Sequence, residues 1–365
     1  MILWMLSKTL ASEYSAYFHR GRHFMKIGIK EMIDPETRDY YEAFYDILRT
    51  PDFDDKSRVL KPSHGMKTIG YSKKKKCRFC GKDENEVSFN KIAHAFPECI
   101  GNHVLASNYE CDVCNEFFGD TIENEYANFF SLYHSIMQIA GKSGIPKCKY
   151  KVPCDKRNEN CVKYCVEVSF KDNMPCIRKC REVGDEYLSF SGNSLTISKP
   201  VGRCCPIAVF KAIIKMAISV MPVEELPLFS KTIAWLGKRE HFNFYENKKL
   251  LVRYKMIPGF HVTKYPCYAL YRRRKDVWDK PYMLFNLTYG CYSLFVEVPG
   301  EVNNSYGFEF EKMPFPPIPF YTSNEGIWDL SEKEISKDAK HSITLNFGSM
   351  EEVTDNSAMG KKKGI

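Results

Sequence analysis

Four cysteines in two pairs carry the clearest chemistry in the chain: Cys77 and Cys80 in "CRFCG", and Cys111 and Cys114 in "ECDVCNEFFG". A turn between paired thiols points both sulfurs the same way, so each pair can grip one ion. Two such pairs complete a tetrahedral S4 site, a geometry that zinc accepts and that leaves no position open for catalysis. The spacing therefore predicts a structural zinc that staples a region with little core of its own. The separation of the pairs is longer than in the simplest zinc ribbons, so residues 81–110 must hold an inserted element. That insertion contains "IAHAFPECIGN", with His94 and Asn102, and Asn108 further on. Cys99 lies in it without a partner at knuckle spacing. Four unpaired core thiols are the plainer reading, and the double spacing argues against it.

The redox setting decides how 15 cysteines are read. The N-terminal apolar run Ile2–Leu6 is broken by Ser7 and Lys8, unlike a secretory signal with its longer apolar core. Residues 1–24 read as a poorly patterned leader, with Met25 as an alternative start. No run of about 18 apolar residues is present, so neither a spanning helix nor a membrane partner is expected. A reducing cytoplasm follows, where Cys-x2-Cys pairs read as metal sites before disulfides. The hydrophobic share of 44% and charged share of 27% are those of a globular chain, and 365 residues suffice for about two domains. An excess of 53 Lys+Arg over 45 Asp+Glu, +8 in all, suits a polyanionic partner without establishing one.

The elements that must position these residues follow from periodicity. Residues 34–49 read as a helix with Asp34 as N-cap and Pro35 at its first position. A turn-rich connector follows, then Lys73–Lys76, read as a solvated linker with phosphate contact as the second option. Residues 121–140 read as one amphipathic helix capped by Thr121, with Ile122, Tyr126, Phe129, Phe130, Tyr133, Ile136 and Met137 facing a core and His134 beside them, read as a packed or surface histidine ahead of a metal ligand. From 148 to 199 the period becomes two: a strand in "CVKYCVEVSF", then two strands joined at Gly192-Asn193. Pro206 and Pro222 bracket a helix with an apolar face, a second helix closes near Gly237, and four further strands lie beyond residue 248.

"CRFCG", then "AHAFPECIGN", then "ECDVCNEFFGDTIE" together resemble the HNH endonuclease family in its zinc-stapled form. The resemblance covers about 45 residues, in a demanding order: thiol pair, His-x2-Pro loop, amide, thiol pair ending in Cys-Asn. It implies an α+β fold, with a ββα-metal (His-Me finger) module around one divalent cation followed by a mixed helix and strand region. It also implies hydrolysis of DNA phosphodiester bonds with Mg2+ or Mn2+. His94 falls at the position of the general base, where a near-neutral pKa suits proton removal from water. Asn115 falls at the final His-or-Asn and would ligate the catalytic ion. Asn108, fourteen residues after His94, is favoured over Asn102 to orient the imidazole. The expected organisation is 1–70 helical and linker, 71–145 nuclease module, 146–345 accessory region and 346–365 tail.

One departure stands out. Many family members carry an acidic residue or histidine just before the base, and this chain has Ala93. Glu98, His103, Asp112 and Asp120 are the candidate replacements. The alternative function is a catalytically inactive, zinc-stabilised module that binds nucleic acid or protein. A Cys-x2-Cys oxidoreductase fits less well, because two pairs with His and Asn suit metal binding better. Cys161, Cys165, Cys176 and Cys180 leave a second zinc open, and "YRRRK" (271–275) is either phosphate-gripping or solvated charge. Bacterial defence is the role that the resemblance suits, with a homo-oligomer or a defence-system partner among the expected assemblies.

Overall fold

The computed structural model covers residues 2–6, 34–49, 67–70, 74–150, 166–171, 174–179, 185–201, 203–243, 245, 248–256, 263–301, 309–316, 325–336, 339–346 and 350–354. The leader around Met25, most of the connector after Arg49, Lys73, the thiols Cys161, Cys165 and Cys180, the side chain of Cys176, and the tail from 355 lie outside what it describes. The question of a second zinc therefore lies outside it too.

In chain order the elements are β1 (Ile2–Leu6), α1 (Pro35–Phe44), β2 (Tyr45–Arg49), β3 (Lys67–Ile69), β4 (Ala93–His94), β5 (Leu105–Ser107), α2 (Asp112–Phe118), α3 (Asn124–Phe129), α4 (Ser131–Ile136), β6 (Cys148–Tyr150), β7 (Val166–Lys171), β8 (Met174–Lys179), β9 (Leu188–Ser191) and β10 (Ser194–Pro200). Then come α5 (Pro206–Val220), α6 (Ser230–Leu236), β11 (Leu251–Met256), β12 (Thr263–Arg273), β13 (Met283–Gly290), β14 (Tyr292–Glu297), β15 (Glu325–Asp329), β16 (Lys340–Asn346) and β17 (Met350–Thr354). The mixture of helix and strand is the one expected. A six-stranded antiparallel sheet, ordered β15-β11-β14-β13-β12-β2, forms the largest layer. The order β3-β5-β4 makes the small sheet that carries the site.

Local chemistry explains where elements begin. Asp34 caps α1 by accepting from the Thr37 N–H at 2.9 Å, and Pro35 at N1 lacks only a donor that would be orphaned there. The helix stops at Phe44, five residues short of the expected end. Tyr45 turns extended and β2 pairs with β12, a partner no local pattern announces. Gly192 takes φ +56, the left-handed corner that a tight turn between β9 and β10 requires.

The stretch expected as one helix from Thr121 is broken. Its first turn starts earlier, at Asp112, directly after the second thiol pair opens. Gly119–Glu123 widens into a π-turn, where the Thr121 hydroxyl donates to the Phe117 carbonyl at 2.6 Å rather than capping anything. A hydroxyl that takes an i−4 carbonyl competes with the backbone ladder and disturbs it. A second break falls at Phe130, between α3 and α4. The apolar stripe still reaches the core: Ile122, Tyr126, Phe129, Phe130, Tyr133, Ile136 and Met137 are all buried, and so is His134.

Helix α5 begins at Pro206 and ends before Pro222, as its sequence predicts. It is buried on every side rather than along one face, Lys211 and Lys215 included. Its first turn is completed by another helix, since the Glu125 carboxylate of α3 accepts from the Cys205 N–H at 2.9 Å. The segment after α5 is not one helix, because Pro227 withholds an N–H: Val223–Phe229 winds tightly and α6 follows up to Gly237. One hydrophobic cluster gathers Phe96, Phe118 and Tyr126 with α5 and with strands β11, β13 and β14. Among the described residues no helix is long and apolar enough to cross a membrane.

Candidate functional site

The two thiol pairs meet. The sulfurs of Cys77, Cys80, Cys111 and Cys114 all lie within 4.8 Å of one another, with Cys80 Sγ and Cys111 Sγ 3.8 Å apart. A Zn–S bond of about 2.3 Å fixes the edge of a ZnS4 tetrahedron at about 3.8 Å, so the cage has the dimensions of a zinc site. The first knuckle is closed by Cys77 N–H to the Lys82 carbonyl at 2.8 Å and Gly81 N–H to the Cys77 carbonyl at 2.9 Å. Gly81 takes φ +76, which tightens that turn at no steric cost. The second knuckle is the first turn of α2, with Cys111 at its N-cap. The Arg78 N–H donates to the Tyr109 carbonyl at 2.9 Å and ties one knuckle to the chain entering the other. Crowded sulfurs share protons: the Cys114 thiol, by donating to Cys77, pushes that thiol down to about 4 against the effect of burial. The same hydrogen bond, with burial, pushes Cys114 up. Holding several thiolates at once is what a dication does best.

His94 ends β4, paired with Ala106 of β5, and its flanks Ala93 and Ala95 are buried. Its own ring is 18% exposed. Burial pushes the imidazole below its ordinary 6.5, with Glu98 pulling the other way. It is therefore neutral near pH 7, the state that accepts a proton. Nε2 faces Glu98 Oε1 at 3.9 Å, and the same oxygen lies 3.8 Å from His103 Nδ1. The His103 Nε2 lies 2.9 Å from the Ala140 carbonyl. A carbonyl only accepts, so that nitrogen carries a proton.

The asparagines separate. Asn102 is buried, with Nδ2 donating to the Phe96 and Leu105 carbonyls at 2.8 and 2.9 Å and Oδ1 accepting from Leu105 N–H at 2.9 Å. All its capacity goes into clamping the loop between β4 and β5. Asn108 lies one residue beyond β5 rather than on it, half-buried, with its N–H donating to the Ile69 carbonyl of β3 at 2.8 Å. Asn115 is half-buried in α2, directly after Cys114.

Residues 77–131 match the HNH endonuclease family model. The matched segment spans both thiol pairs, His94, Asn108, Asn115 and the helices through α3. No curated protein and no solved structure matches the chain. Within the HNH segment, Asp112 is committed to the backbone, accepting from Asn90 N–H at 3.0 Å and Lys91 N–H at 2.8 Å, whereas Asp120 is exposed. Of the replacements weighed for Ala93, Glu98 and His103 are the two grouped with His94.

Sequence reasoning missed a buried charge cluster behind His94. Lys215 of α5 lies 2.9 Å from Glu110 Oε2 and 3.0 Å from Glu123 Oε1, and its ammonium donates to the His94 carbonyl at 3.4 Å. Burial alone would favour the neutral amine, but the two carboxylates outweigh it and hold Lys215 charged. Burial pushes Glu110 up to about 7. The signal was present in "AVFKAIIKMAISV", where two lysines interrupt an otherwise apolar helix. The basic run "YRRRK" is split: Arg272 and Arg273 turn inward, while Arg274 and Lys275 stay exposed. Arg272 pairs with Glu225 at 2.9 Å and Asp46 at 3.2 Å, and Arg273 donates to the Trp278 and Lys280 carbonyls.

Proposed function

We propose that the HNH segment is a metal-dependent DNA endonuclease with a ββα-metal core made of β4, β5 and α2, stapled by zinc on Cys77, Cys80, Cys111 and Cys114. The observation that carries this reading is that one matched segment holds both a complete S4 cage and a partly exposed imidazole kept neutral near pH 7. His94 removes the proton from the attacking water through its Nε2. Asn108 is the residue that would orient the His94 ring, whose buried Nδ1 has no hydrogen-bond partner among the described residues. Asn115, Glu98 and His103 are the residues that would hold Mg2+ or Mn2+, with the Glu98 carboxylate the oxygen donor that suits a hard cation. When bound, that ion neutralises charge growing on the leaving oxygen. A role in bacterial defence against foreign DNA is the setting that the family resemblance suits.

A second reading, a zinc-stapled binding module without activity, is favoured by one observation: Ala93 is buried and offers no ligand. Incubation of plasmid with purified protein and Mg2+ or Mn2+, with His94→Ala and Asn115→Ala beside it, decides between them. Cleavage by the wild type that is lost in both variants is the expected result. Equal retention of DNA by all three proteins with no cleavage would establish the binding module.

A further inference from the structure

Lys215 is 1% exposed, and its surroundings come from five separate parts of the HNH segment. They are the carbonyl of His94, Glu110 just before Cys111, Glu123 in the π-turn, and the rings of Phe79 in the first knuckle and Phe118 at the end of α2, 5.9 and 5.6 Å from the ammonium. The contact is returned from the other side. Arg78, inside the first knuckle, is buried and sends Nη1 to the carbonyls of Ile218, Ser219 and Met221, with 3.0 Å to Ser219 and 3.2 Å to Met221. They are carbonyls at the end of α5, where Ile218 also accepts from the Met221 N–H at 3.3 Å. The Arg78 guanidinium also lies 4.1 Å over the Tyr109 ring. Helix α5 and the HNH segment thus each place a buried cation in the other.

Folding alone gives little reason for this arrangement. Desolvating an ammonium costs several kcal/mol, and apolar residues of similar volume in place of buried ion pairs are often neutral or stabilising. What an apolar side chain cannot do is fix three oxygen-bearing segments at one point. We propose that Lys215 is a positioning residue of the nuclease site, holding the backbone of His94 in register with the second thiol knuckle and the π-turn, so that α5 belongs to the catalytic unit although it lies outside the matched segment. This rests on the reading of His94 as the reacting base.

The test uses the full chain as Lys215→Met and Lys215→Arg, with the wild type and His94→Ala for comparison. Zinc per chain, kcat and KM on plasmid, and the His94 ring signals in 15N-histidine spectra are measured. Zinc-loaded Lys215→Met is expected to lose about a hundredfold in kcat with KM nearly unchanged, the signature of a displaced reacting group. Its His94 signals should shift, and Lys215→Arg should recover part of both. Wild-type kcat and unshifted His94 signals in zinc-loaded Lys215→Met would overturn the proposal. If Lys215→Met takes up no zinc, Lys215→Met/Glu110→Gln removes the more deeply buried of the two charges left behind and is judged by the same criteria. If the wild type cuts no DNA, the reading of His94 as base fails on its own. The ring signals then still decide: a shift in Lys215→Met supports the positioning role and no shift refutes it.

Discussion

Acidification from pH 7 to pH 5 should destabilise the fold through two buried histidines outside the thiol cage. His134 stacks on Phe130 with centroids 6.0 Å apart and lies 3.3 Å from the Tyr289 hydroxyl. His341 meets Phe129 edge-on at 4.3 Å and lies 3.3 Å from the Tyr133 hydroxyl. Burial pushes both imidazoles from the ordinary 6.5 down to about 3. A depressed histidine is neutral in the folded state, so the unfolded chain binds more protons between those limits. The stability it contributes is therefore present above about 6.5 and lost as pH falls toward 3. Integration from pH 7 to 5 gives about 2 kcal/mol per ring, or roughly 4 kcal/mol for the two, against a total on the order of 5–15 kcal/mol. The assay is urea unfolding at both pH values for the wild type and for His134→Phe/His341→Phe, which keeps aromatic packing and removes titration. Glu110, raised by burial to about 7, contributes with the opposite sign but is common to both proteins and cancels in the difference. The wild type should lose about 4 kcal/mol more than the variant. Equal losses would refute the reasoning.

Two further outcomes follow from the site. Asn102→Ala strips the β4–β5 loop of its clamp and leaves buried carbonyls unpaired, so it should cost about 2–4 kcal/mol in urea unfolding; a loss below about 1 kcal/mol would contradict the burial of that amide. Cys111→Ser should abolish zinc retention in metal analysis and accelerate hydrogen exchange at the Cys77 amide, bonded within the first knuckle, and at the Arg78 amide, bonded across to Tyr109; retained zinc at wild-type stoichiometry would remove Cys111 from the ligand set.

What the sequence disclosed was what neighbouring residues decide between themselves. The thiol quartet was legible because each pair is made by a turn, and α5 because prolines bracket it. The turn at Gly192-Asn193 was legible because only certain residues accept its geometry. What it concealed depends on distant partners. Tyr45–Arg49 continues a helical pattern, yet it becomes β2 because β12 offers backbone partners from the far end of the chain. The widening at Gly119–Glu123 is invisible in an apolar stripe that meets the core regardless of it. The inward turn of Arg272 and Arg273 needs Asp46, Glu225 and a loop of carbonyls to explain it. Asn102 and Asn108 were rivals at the level of spacing, and only the hydrogen bonds show that Asn102 is fully engaged by the loop.

Strand β3 bears on how this nuclease-like segment could be handled as a portable part. Lys67–Ile69 runs parallel to β5 and receives the Asn108 amide, yet it precedes the matched residues 77–131. A transplant trimmed to those boundaries would open a raw sheet margin beside Asn108, inviting adhesion between copies. A usable graft has to start no later than residue 67.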